Sequence, residues 1–138
     1  MTPRVRSPKR RVATLLLALV IPATAAGGGD AAQGRKSYDR LCMVCHGVGG
    51  AGDGPVGAAI DPLPRDFTSG EFKFDADKDG VIGTDEDLAI VIEKGGGAFG
   101  GNPVMVPWLQ LSDAEVANLV AYIRTLAADR RTRDQALR

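Results

Sequence analysis

Between Ser112 and Asp129 the apolar residues Val116, Leu119, Val120, Ile123, Leu126 and Ala127 recur at three- and four-residue intervals. That period puts them on one stripe of a helix. Ser112 with Glu115 three positions on has the form of a capping box, so a helix is predicted over 112–129. A second helix is predicted from Ala31 to about Leu41, with Asp30 as N-cap and Gln33 in the N3 place of a capping box. Its inward face is sparse, consisting of Gly34, Tyr38 and Leu41. Gly34 has no side chain to hold a crossing helix away, and Tyr38 lies one turn further along the same face. The two helices are therefore expected to cross closely near Gly34, with Tyr38 meeting Tyr122 or Leu119. A third, shorter helix is predicted over 86–93, capped by Thr84, burying Leu88, Val91 and Ile92 and ended by 94-KGGG-97. The rest reads as glycine- and proline-punctuated loop, so the fold class is all-α with three main helices. Arg130, Arg131, Arg133 and Arg138 make a basic tail, 130–138, expected to fray.

The start of the chain is set apart by its charge. Arg4, Arg6, Lys9, Arg10 and Arg11 precede the uncharged run Val12 to Ile21, and 22-PATAA-26 offers a small-x-small cleavage site. Residues 1–25 are read as a cleaved export signal and 26–138 as a single domain. The apolar run would cover only about 15 Å as a helix, half a bilayer core, so no stable membrane insertion is expected after cleavage. Removing those five cations turns 17 basic against 17 acidic side chains into 12 against 17. An acidic mature chain is a poor partner for nucleic acid or anionic lipid.

The only two cysteines lie in 42-CMVCH-46, which also holds the only histidine. C-x-x-C-H in an exported chain reads as covalent haem attachment: each thiol adds to a vinyl group, and the adjacent imidazole reaches the iron. A zinc site would need a fourth protein ligand, and no further Cys or His exists to join Cys42, Cys45 and His46. A redox dithiol wants its cysteine at a helix N-terminus, whereas Cys42 follows the C-terminal end of the first predicted helix.

One axial position remains. With no second histidine, methionine is the expected ligand; Met1 leaves with the signal and Met43 sits between the attachment cysteines, which leaves Met105 in 100-GGNPVMVPWLQL-111. An iron closed by His46 and Met105 has no free coordination site, which favours electron transfer over catalysis.

A different chemistry is written in 75-DADKDGVIGTDE-86. It follows the register of a twelve-residue calcium loop: Asp75, Asp77 and Asp79, the backbone carbonyl of Val81, Gly83 through water and Glu86 are candidate calcium ligands, with Gly80 at the sharp turn. The context differs from a paired site, since 64-PRDFTSGEFKF-74 is no entering helix and no second loop exists. The acids 85–87 also suit the first turn of a helix whether or not a cation binds.

Taken together, 34-GRKSY-38, 42-CMVCHG-47, Met105 and 119-LVAYIRTL-126 resemble, in that order, the class I c-type cytochromes, over roughly residues 29–128. The resemblance implies a cytochrome c fold around one covalent haem c per chain, with Gly34, Tyr38 and Tyr122 at the helix crossing. It further implies that a proline carbonyl, here Pro55 in 52-GDGP-55, accepts the hydrogen bond of the His46 ring. Within the family, 64-PRDFTSGEFKF-74 and 84-TDEDL-88 are similar to a bacterial periplasmic subgroup. Its Met-Pro-x-Trp order departs here to 105-MVPW-108, with the Met-to-Trp distance kept. Arg65 suits a haem propionate, and Trp108 either a propionate or the haem edge.

The expected function is then single-electron transfer in the periplasm by a soluble mono-haem carrier that meets redox protein partners transiently, with a docking surface near Met43, Val44 and Val48. Three other readings stand beside it. One is a fixed haem subunit of a dehydrogenase or reductase complex. Another is a haem sensor or enzyme in which Met105 dissociates, and the last is a calcium-regulated binding module.

Overall fold

The computed structural model describes residues 28–137, and the leader predicted over 1–25 lies outside the described residues. The chain folds into α1 (Ala31–Leu41), α2 (Met43–His46), α3 (Asp85–Lys94) and α4 (Asp113–Ala136), with 3-10 turns at Gly57–Ala59, Phe67–Ser69 and Gly96–Phe99. No strand occurs among the described residues, so the fold is all-α. None of the described helices is long and apolar enough to cross a membrane.

The first and last helices form the main packing pair. A Cβ at Gly34 would lie 1.8 Å from the Asn118 carbonyl oxygen, so only glycine permits this approach of α1 to the α4 backbone. One turn on, the Tyr38 and Tyr122 rings meet edge-to-face with centroids 5.1 Å apart. Tyr38, Val116 and Leu119 are almost fully buried. The predicted crossing is therefore observed, down to its aromatic pair.

Capping follows the sequence at two of three N-termini. Ser112 with Glu115 opens α4 and Thr84 with Asp87 opens α3, each as a reciprocal capping box. At α1 the Asp30 carboxylate accepts from the Ala32 and Gln33 N–H groups, but Gln33 does not complete the box. The Asp30 N–H donates instead to Asn118 Oδ1 at 2.6 Å, and Gln33 Oε1 accepts from Lys36. The crossing helix supplies the partner that the local motif would have supplied.

The segment expected as a tail is helical and exposed: α4 runs on to Ala136. Nothing after Ser112 is glycine or proline, and alanine and arginine are good helix formers. Arg130 also ties the extension to the body, donating to Thr68 Oγ1 at 2.9 Å and lying 3.4 Å from Asp66. Closer to the core, Arg124 joins α4 to the start of α3 by donating to Asp85 at 2.7 Å and to the Gly83 carbonyl at 2.6 Å. The same guanidinium lies over the Phe72 ring.

Candidate functional site

Three segments converge on one crevice. The first is the turn from α1 into α2, which carries Cys42, Cys45 and His46. The Tyr38 hydroxyl, buried in the helix crossing, donates to the Gly47 carbonyl at 2.8 Å and so fixes the end of α2 to the core. Backbone bonds from Gly54 to the Cys45 carbonyl and from Val56 to the Val44 carbonyl hold the following loop against the same helix.

The second segment is 64–67. His46 is 8% exposed, and its Nδ1 lies 3.1 Å from the Arg65 carbonyl oxygen. A carbonyl only accepts, so the proton sits on Nδ1 and the Nε2 lone pair is left for a metal. Burial pushes the His46 pKa down, and the Arg65 bond offsets part of that, so the ring is neutral at pH 7. The Pro55 assignment is thereby corrected: the acceptor comes from Arg65, 19 residues beyond the histidine, and Pro55 is exposed on the loop beside α2. The physical reason is that Phe67 N–H donates to the Gly50 carbonyl at 2.7 Å, drawing segment 64–67 across the imidazole. Phe67 then stacks on the His46 ring, centroids 4.4 Å apart and planes 15° from parallel.

The third segment carries Met105. Its N–H donates to the Asn102 carbonyl at 3.1 Å and its own carbonyl accepts from Gly96 at 3.0 Å. A Cβ at Gly95 would lie 2.6 Å from that carbonyl oxygen, so the glycines after α3 let the methionine segment lie directly on the helix end. Pro107 has no N–H to satisfy, and the next residue, Trp108, donates to Ile92 at 3.2 Å. The 105-MVPW-108 order therefore leaves both Met105 and Trp108 facing the crevice.

The crevice is a cavity of about 290 Å³, lined among others by Cys42, Cys45, His46, Arg65, Met105 and Trp108. A smaller apolar recess of about 90 Å³ opens behind it against Phe67, Phe72, Leu88 and Ile92, sharing His46 and Met105 with the larger one. Two thiols, an imidazole with a free Nε2 and a thioether on one cavity fit a covalently held haem. Arg65 and Lys73 line both spaces and suit its carboxylates. Burial, with Cys45 adding to it, pushes the Cys42 thiol up to about 11, the reverse of what a thiol–disulfide catalyst requires.

Sequence reading missed Lys73, Phe67 and Phe72. Their signal lies in 64-PRDFTSGEFKF-74, where aromatic residues in a loop without a helical period must find their burial against something else. Of the expected docking residues, Val44 and Val48 are exposed, whereas Met43 packs against the core.

The acidic loop is organised differently from the expected calcium set. Asp75 and Asp77 do come together, but the third carboxylate beside them is Asp87, not Asp79 or Glu86. Asp79 Oδ1 accepts from Val81 N–H at 2.7 Å, and Glu86 is exposed. Position explains the substitution: Asp87 is the N3 residue of α3, so its side chain folds back over Thr84 toward the loop. Val81 is exposed, and Gly83 gives its carbonyl to Arg124.

No curated protein matches the chain. Among solved structures, it is similar to a chain of the Kuenenia stuttgartiensis reducing HAO-like protein complex Kustc0457/Kustc0458, with 33% identity and a TM-score of 0.58. The likeness covers 68% of this chain and 41% of that one, so this protein spans less than half of its neighbour's length. Residues 31–127 match the family described as Cytochrome c. Since that span runs from the first residue of α1 to the last buried residue of α4 and contains the whole crevice, the chain belongs to the cytochrome c family, whose members hold haem covalently and transfer electrons.

Proposed function

We propose that this protein is a single-haem electron carrier whose iron is held by His46 and Met105 and which passes single electrons between redox proteins. The observation that carries the reading is the sharing of one cavity by Cys42, Cys45, His46 and Met105. Haem c supplies the one-electron couple when bound. The two cysteines tether its edge, and His46 presents Nε2 because the Arg65 carbonyl holds the Nδ1 proton. Met105 gives a soft sulfur on a segment braced against α3. Thioether ligation and the apolar recess favour the less charged ferrous site and raise the potential relative to a bis-imidazole, exposed haem.

Held by both His46 and Met105, the iron would have no open place for a substrate, and the protein would then act as a carrier rather than an enzyme or sensor. Carbon monoxide binding to the ferrous protein at neutral pH separates the two: a carrier of this kind resists it. The ligand set itself is tested by the weak long-wavelength charge-transfer band of methionine-ligated ferric haem. That band is expected in the wild type and lost in Met105→Ala; its survival there would sink the assignment.

A second role is favoured by the neighbouring structure, a chain belonging to a complex. The same haem domain would then be a fixed subunit rather than a shuttle, and the native protein would copurify with a partner at constant ratio through size exclusion. The basic, then apolar, leader in residues 1–25 supports a periplasmic location, for which N-terminal sequencing of the native protein is the test.

A further inference from the structure

We infer that segment 64–67 fixes the plane of the axial imidazole, with Phe67 as a positioning residue acting through His46; this rests on the reading of His46 as an iron ligand. A hydrogen bond from Nδ1 to the Arg65 carbonyl constrains the ring at one edge only, and leaves it free to rock about the axis through that bond. The phenyl ring of Phe67, 4.4 Å away and within 15° of parallel, stacks on one face and removes that freedom. Both constraints come from the same four residues of chain.

Phe67 is itself held. It is 8% exposed, its N–H donates to Gly50, and the Tyr38 ring meets it at 66° with centroids 6.4 Å apart. Phe72 packs on it at 6.3 Å. Tyr38 at the same time donates to the Gly47 carbonyl, next in the chain to His46. The imidazole is thus registered to the helix crossing by two routes, one through backbone and one through ring contacts, edge-on from Tyr38 to Phe67 and stacked from Phe67 to His46. An ordinary core phenylalanine would need only burial; this one is aligned face to face with the one ring whose orientation decides how the iron orbitals overlap their ligand.

The experiment uses the intact haem protein and has two arms. In the ferrous, diamagnetic state, proton NMR is expected to show cross-relaxation between the Phe67 ring and the His46 ring protons. The His46 protons themselves should be displaced strongly upfield by the haem. Absence of that displacement overturns His46 ligation; its presence without the Phe67 contact overturns the present inference alone. In the ferric state, low-spin electron paramagnetic resonance compares Phe67→Leu, which keeps bulk but loses the flat face, with Phe67→Tyr, which keeps it. A core control is Val116→Ala, at a residue that lines neither cavity.

The leucine variant is expected to broaden or split the signal, the tyrosine variant to retain one component, and Val116→Ala to lose stability with its signal unchanged. A single unshifted signal in Phe67→Leu, or equal broadening in Val116→Ala, rejects the positioning role. Should the leucine variant not fold, the NMR contact in the wild type decides the question.

Discussion

Asp87 gathers hydrogen bonds from the backbone N–H groups of Ala76, Asp77 and Thr84 and from the Thr84 hydroxyl. It is 1% exposed. Burial by itself raises a carboxyl pKa, but the bonds from Thr84, Ala76 and Asp77 outweigh it and hold Asp87 down to about 2, against an ordinary 3.8. A carboxylate with a depressed folded pKa contributes stability that is present above its unfolded value and is lost as pH falls through the folded one. Asp87→Asn is therefore expected to be less stable than wild type at pH 7. Its stability should also change less between about pH 4 and pH 2, as read from denaturant midpoints across that range. Such a residue was hard to single out in sequence. In 75-DADKDGVIGTDE-86 the calcium register points to Glu86, while the helix register makes Asp87 the N3 residue, and it is Asp87 that closes the cap on Thr84. The place of Met105 on the crevice was easier to expect, since only one methionine was left to assign. Pro55 was misassigned because the acceptor for His46 arrives from a loop 19 residues away, and no local spacing encodes that.

Helices were the most readable elements. Gly34, Tyr38 and Tyr122 announced their crossing because close approach demands glycine and edge-to-face aromatic pairs demand register. The length of α4 exceeds its apolar stripe because helix continuation is limited by breakers, and none follows Ser112. The core nevertheless stops at Ala127, the last buried residue of the helix. Removing residues 131–138 leaves Arg130 and its bonds to Thr68 and Asp66 in place. It is expected to cost no more than about 1 kcal/mol in chemical denaturation, with an unchanged haem spectrum. A larger loss, or a changed spectrum, would mean that the extension carries tertiary contacts of its own.

At the scale of the whole molecule the protein is built around an interior that protein atoms do not fill. The cavity of about 290 Å³, with the recess behind it, lies between α1–α2 on one side and the Met105 segment on the other. Until haem fills it, the apolar side chains lining that space lack packing partners, and a small domain has only about 5–15 kcal/mol of stability in all. The chain made without its haem is therefore expected to lack fixed tertiary packing. Its near-ultraviolet circular dichroism should be flat while some helical signal persists, whereas the haem-bearing protein unfolds in one cooperative step. A haem-free chain with cooperative unfolding and native aromatic dichroism would show that the walls close by themselves. The loops that shape the cavity have no periodicity from which to read their path.

The bond between Asp30 and Asn118 spans 88 positions of sequence, and the helix crossing it belongs to joins the beginning of the fold to its end. Contacts of such long range form late, because loop closure must precede them. Cys42 and Cys45 lie far in sequence from the helix that completes the core around Tyr38. Because the chain without haem is expected to lack fixed packing, the docking of α4 is expected to follow haem attachment at Cys42 and Cys45 rather than precede it, so that the two ends of the chain close over a group already tethered between them.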